Sequence, residues 1–176
     1  MSILPTFAMW RRLGDVEKAI QTYHWYLLAQ KPSIPHDLLA GAPGKQMRNT
    51  LASWTKSGSL DAFTPEELTA YEASMSKPQV IAAICGEYRA GWTTDRKHDE
   101  ADVAANRKIA RPMLALWGLD EYPQDEMEAA WRQIASNVMF RGLDCGHFVT
   151  EEAPDETAEA LSRFLVGDRR PASHGG

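Results

Sequence analysis

The pentapeptide Asp144-Cys145-Gly146-His147-Phe148 holds a base, a thiol and an acid within one short stretch. It follows Val138 to Leu143, a run that reads as a strand. Ligands and catalytic groups in open α/β sheets gather at the carboxyl ends of strands. His147 stands in that place, behind a glycine that permits a sharp turn. An imidazole with its ordinary pKa, about 6.5, suits general-base work near neutrality. A plain surface histidine in a loop would look the same in local sequence. Trp117-Gly118-Leu119-Asp120 closes an earlier apolar run in the same manner. Asp120 could accept the N–H of His147 and fix its tautomer, as the acid of a triad does. It equally suits an N-cap or a turn, and Glu121 and Asp125 compete for the acid's part.

Other arrangements in this stretch fail on geometry. Gly142-Leu143-Asp144-Cys145-Gly146 has the spacing of a nucleophile elbow centred on aspartate. An elbow leads straight from strand into helix, whereas His-Phe-Val-Thr intervenes here before Pro154. Cys145 is a poor nucleophile for His147, because a Cys-x-His pair can seldom orient both side chains for proton transfer. The five histidines, His24, His36, His98, His147 and His174, have no metal-ligand spacing to one another or to a cysteine. His98-Asp99-Glu100 with Asp102 reads as a solvated helix face. No metal site is expected, and no glycine-rich phosphate loop occurs.

A second group of polar donors lies earlier. Tyr23-His24-Trp25-Tyr26 puts several N–H and O–H donors in one helical turn beside apolar residues. Aromatic stripes at this spacing are usually core. Buried Trp and His still need polar partners, so a pocket that supplies an anion would also suit them. Tyr88, in Gly86-Glu87-Tyr88-Arg89-Ala90-Gly91, is a further donor. Trp54 is a core residue or a wall of the same pocket.

These residues must be positioned by two unlike parts. From Phe7 to about Asn106 the pattern is helical. Trp10, Leu13, Val16, Ile20, Tyr23, His24 and Leu27 recur at three- and four-residue spacing, which predicts one amphipathic helix. Lys31 to Gly44 holds three prolines and two glycines and predicts a loop. A helix over Gln46 to Lys56 follows. Thr64-Pro65-Glu66-Glu67 supplies an N-cap, a proline at N1 and a capping-box glutamate. Further helices are expected from Pro78 and over Asp95 to Arg107. From Pro112 the order becomes strand, helix, strand, helix, with strands at Met113 to Trp117 and Val138 to Leu143, and helices at Glu126 to Ala135 and Pro154 to Leu165. That order implies parallel strands joined by a right-handed crossover. Two strands do not make a stable parallel sheet, so the chain reads as the C-terminal edge of a larger α/β fold. The expected division is a helical cap over 1–108, the end of the α/β core over 109–167, and a disordered tail over 168–176.

Composition bounds the rest. The 176 residues are 44% hydrophobic and 24% charged, which suits a folded chain with a real core. A net charge of -5 argues against nucleic acid or an anionic membrane as partner. No apolar run approaches the roughly 20 residues of a membrane span, and the first residues lack the pattern of a signal peptide. Cys85 and Cys145 make no disulfide framework, so a cytoplasmic setting is expected.

Taken together the segments resemble a known family. Ile3-Leu4-Pro5-Thr6, Tyr23-His24-Trp25, Leu51-Ala52-Ser53-Trp54-Thr55, Glu87-Tyr88-Arg89-Ala90-Gly91, Pro112 to Gly118, and Gly146-His147-Phe148 with Glu151-Glu152-Ala153-Pro154-Asp155 run in order over nearly the whole chain. The chain resembles the C-terminal half of an α/β-hydrolase of the haloacetate (fluoroacetate) dehalogenase type, a group related to epoxide hydrolases. The resemblance implies a partial α/β-hydrolase fold and a carbon–halogen hydrolysis that passes through an aspartyl ester. His147 would activate water, Asp120 would be its acid, and His24, Trp25 and Tyr88 would bind the departing halide, with Trp54 lining the pocket. The nucleophile belongs before Met1. Ser2 stands where this branch commonly has its acid. The implied partners are a small haloacid and a halide ion, with no cofactor, and the full-length form could pair as a homodimer. The alternatives are an epoxide hydrolase-like fragment and a non-catalytic remnant that binds a small anion or a partner chain.

Overall fold

The apolar stripe from Trp10 to Leu27 does not form one helix. In the computed structural model, which describes residues 4–166, it divides into α1 (Thr6–Arg12), α2 (Val16–Gln21) and α3 (His24–Leu28). Ser2 and the tail from Gly167 onward lie outside the described residues. Local polar groups override the periodicity at the breaks. The Asp15 carboxylate accepts the Lys18 N–H and starts α2 afresh, and the Thr22 hydroxyl bonds back to the Lys18 carbonyl at its end. Val16 and Ile20 are consequently 73% and 70% exposed, although the stripe placed them inside.

The expected loop over Lys31 to Gly44 is mostly helix. It contains α4 (Ile34–Gly41), and α5 (Pro43–Trp54) starts at its end. Pro35 and Pro43, two of the three prolines that suggest a loop, sit in the first turn of a helix, where a missing N–H costs nothing. The Thr64 box forms as expected and opens α6 (Pro65–Met75): Glu67 N–H donates to the Thr64 hydroxyl, and the Glu67 carboxylate accepts the Thr64 N–H. Then come α7 (Pro78–Ala90), a π-helical turn over Gly91–Asp95, and α8 (Arg96–Ala104).

The remainder alternates. β1 (Met113–Gly118), α9 (Gln124–Ile134), β2 (Val138–Leu143), α10 (Val149–Glu152) and α11 (Pro154–Val166) follow in order. β1 and β2 are parallel, in register from Met113 opposite Val138 to Gly118 opposite Leu143. Among the described residues β1 pairs with β2 alone. The architecture, helices followed by two parallel strands and their helices, fits the expected partial α/β-hydrolase fold.

Each face of this small sheet is covered, as parallel strands require. On one face Trp117, Tyr122, Met127 and Ala130 pack with Leu4, Met9, Trp10 and Leu13. On the other, Leu116 and Leu143 pack with Cys145, Val149 and Ala153. The packing therefore crosses residue 108, where secondary structure changes from all-helical to alternating. Two smaller clusters hold the helical part, one around Met47, Leu51, Phe63 and Leu68, the other around Leu28, Ile81 and Cys85. No helix among the described residues is long and apolar enough to cross a membrane.

Candidate active site

The loops that leave the two strands cross each other closely. A Cβ on Gly118 would lie 1.8 Å from the Gly146 carbonyl oxygen, so only glycine permits this approach. The Leu119 and Asp120 N–H groups donate to the carbonyls of Leu143 and Cys145, at 2.8 and 3.2 Å. The Trp117 indole donates to the Tyr122 carbonyl, and Tyr122 is buried, which closes the turn between them. These contacts bring the residue after Asp120 onto His147.

The acid that meets the histidine is Glu121. Its Oε2 lies 2.8 Å from His147 Nδ1, and the His147 side chain is only 10% exposed. The expectation that Asp120 plays this part is corrected. Asp120 borders the same cavity but is exposed, and its N–H, rather than its carboxylate, holds the loop. Adjacent residues of a tight turn point apart, so the turn that buries Tyr122 selects Glu121. With Nδ1 engaged by a carboxylate, Nε2 is the nitrogen left to take a proton.

A cavity of about 800 Å³ opens beside this pair, bordered by His24, Trp25, Trp54, Tyr88, Glu121 and His147 among others. The three donors from the helical part converge in it: Trp25 and Tyr88 have ring centroids 5.2 Å apart, and His24 and Tyr88 5.8 Å apart. Trp54 stands between the histidines, 4.8 Å from His24 and 5.0 Å from His147. Among the described residues no protein acceptor bonds the His24 ring, the Trp25 indole N–H or the Tyr88 hydroxyl. Burial and, secondarily, His147 lower the His24 pKa to about 4, so its imidazole is neutral at pH 7. Burial pushes the Tyr88 phenol up to about 12, with Glu87 and Glu121 adding to it, so Tyr88 keeps its proton. These three groups are thus neutral donors suited to an anion, on the wall of a cavity that Arg12, Glu87, Asp95, Asp120 and Glu121 also border.

The residues set aside from spacing occupy other roles. The Asp144 carboxylate is 89% exposed and pairs with Lys56 at 2.5 Å. Cys145 is buried, and burial first, then Glu152 and Asp144, raises its thiol to about 11. Neither is placed to act as a nucleophile. Among the described residues no group of three or more His, Cys, Asp or Glu could hold a metal ion.

With this geometry the likenesses to known proteins can be read. No family model matches the chain. It is 32% identical over 176 residues to a fluoroacetate dehalogenase from Burkholderia sp, an alignment of 99% of this chain and 56% of that protein. A Nostoc sp PCC 7120 structure assigned as an α/β hydrolase superposes with a TM-score of 0.85 at 40% identity, over 94% of this chain and 56% of that one. In sequence and fold the chain is similar to part of an α/β hydrolase. A Pseudomonas aeruginosa structure assigned as an epoxide hydrolase superposes equally well, with a TM-score of 0.85 at 30% identity, over 94% of this chain and 55% of that one. The chain spans about half the length of the relatives it matches.

Two features of the candidate site escaped the sequence. Glu121 was visible only as a competitor of Asp120, since spacing cannot tell neighbours in a turn apart. Glu152, two residues before Pro154, shows no sign in the local sequence that its carboxylate reaches backbone 96 residues away.

Proposed function

We propose that this chain supplies the water-activating histidine and the leaving-group pocket of a hydrolase acting on small haloacids. The observation that carries the reading is the facing of the Glu121–His147 pair by three neutral donors across one cavity. In the proposed sequence, an aspartate outside this chain attacks the carbon that bears the halogen. A carbon–oxygen bond forms, and the carbon–halogen bond breaks with its electron pair leaving as halide. His24, Trp25 and Tyr88, on helices acting as a cap, donate to that halide as its charge develops. His147 Nε2 then takes a proton from water, whose oxygen attacks the ester carbonyl; the ester C–O bond breaks, and the imidazolium gives the proton to the departing alkoxide, which leaves hydroxyacid and the free aspartate. Glu121 holds the Nδ1–H throughout and stabilises the imidazolium.

Support comes from the likeness to a fluoroacetate dehalogenase over almost the whole chain. The test has two arms. In the chain alone, titration with chloride or bromide should shift the Trp25 indole N–H resonance more than the other tryptophans, while fluoroacetate yields no fluoride. When the chain is joined to a segment bearing a Gly-x-Asp-x-Gly elbow, fluoroacetate should yield fluoride. Loss of the indole response and no fluoride from the joined protein would sink the reading. Epoxide opening by the joined protein, with no halide release, would assign Tyr88 instead as a neutral acid toward an epoxide oxygen. That is the second reading, favoured by the retained phenol proton of Tyr88.

A further inference from the structure

In the loop that carries His147, the Gly146 and Phe148 amides have no strand or helix carbonyl as partner, yet a buried or half-buried N–H needs an acceptor. Glu152, the last residue of α10, accepts the two on either side of His147. Its Oε2 accepts the Gly146 N–H at 3.0 Å and the Lys56 N–H at 2.8 Å, and its Oε1 accepts the Phe148 N–H at 3.1 Å. The intervening His147 N–H donates to the Trp54 carbonyl at 2.9 Å. One carboxylate thus grips the residues on either side of His147 and ties both to the turn that ends α5. Gly146 completes the seam, because a Cβ there would meet Lys56 N at 2.5 Å and Trp54 O at 2.6 Å.

We infer that Glu152 is a positioning residue, which fixes the His147 ring against Glu121 and locks the His147 loop to the Trp54–Lys56 turn of the helical part. The inference rests on the reading of His147 as the base. Its consequence is that the helical part cannot shift at this turn without moving the imidazole. Trp54, whose ring lies beside both histidines, then moves with His147 as one body. A carboxylate is needed rather than any acceptor of that size. A carboxamide has one acceptor oxygen, and its NH2 would face a backbone N–H in either orientation, so Glu152→Gln loses at least one of the three bonds.

The test uses NMR on the chain itself without substrate, so its result does not depend on whether the hydrolase reading holds. In the parent, the Lys56 amide should exchange with solvent at least about tenfold more slowly than its exposed neighbour Ser57, as expected of a charge-assisted bond. In Glu152→Gln, exchange at Lys56, Gly146 or Phe148 should quicken by about tenfold. The downfield Nδ1–H resonance of His147 should broaden or vanish, while strand amides at Leu116 and Leu143 stay unchanged. Glu151→Gln, which alters the neighbouring acid bonded to Tyr71, should change none of these. Retention of the His147 Nδ1–H resonance and of all three protections in Glu152→Gln would overturn the inference. If that variant does not fold, the parent decides: a Lys56 amide exchanging as fast as Ser57 overturns it as well.

Discussion

Glu121 Oε2 and His147 Nδ1 lie 2.8 Å apart, joined across 26 residues by two loops that leave adjacent parallel strands. The contact fixes which ring nitrogen is free, and every chemical expectation for this site follows from it.

Glu121→Gln in the protein joined to an elbow segment should slow ester hydrolysis by roughly 10²–10⁴, because the wrong tautomer is no longer excluded. Asp120→Asn should leave turnover within about a factor of three, since its carboxylate is exposed and away from the ring. Single-turnover kinetics on both variants distinguishes them. Equal losses would restore Asp120 as the acid.

Tyr88→Phe keeps the ring and removes only the hydroxyl. Fluoride concentrates its charge and depends most on donors aimed at it, so its release should fall by about 10²–10³, with chloride release much less affected. The measurement is the ratio of fluoride to chloride release rates in the variant against the parent. An unchanged ratio means that Tyr88 binds no halide.

His24 makes the fold sensitive to acid. Its folded pKa, about 4, lies below the unfolded value of 6.5, so the unfolded chain binds more protons between these limits. Stability should therefore be full above pH 6.5 and decline as pH falls toward 4, with this group contributing at most about 1.4 kcal/mol per pH unit. Urea unfolding of the parent and of His24→Gln over that window checks the sign. The difference between the two should narrow as the solution is acidified; a constant difference would mean that His24 is protonated in the fold.

Gly146→Ala places a Cβ against backbone atoms of Trp54, Thr55 and Lys56, none of which can give way as a side-chain tip can. It should destabilise the chain by about 1–3 kcal/mol or more. Gly86→Ala, inside α7 with nothing within 4 Å of the new Cβ, should instead stabilise by about 0.5–1 kcal/mol. Paired denaturant melts read both; a neutral Gly146→Ala would show that the loop and the α5 turn are not held together.

What the sequence determined by itself was set by short-range chemistry. Thr64 and Glu67 are three residues apart, and their capping box forms as spacing predicts. The strand ends at Gly118 and Leu143 are marked by glycine and by a change of polarity, which was enough to place His147 at a carboxyl edge. The aromatic turn at His24 and Trp25 and the distant Tyr88 were also legible as donors. Tertiary structure decided the rest. A stripe of apolar residues could not reveal that Asp15 and Thr22 break it, because a local side-chain bond outweighs periodicity when the face has little to pack against. Prolines at 35 and 43 could not say whether they end a loop or begin a helix. Spacing could not choose Glu121 over Asp120, nor connect Glu152 with Lys56. Those choices depend on which side chain a buried Tyr122 turns inward and on an amide reaching a carboxylate 96 residues away, and such pairings exist only once the chain has closed on itself.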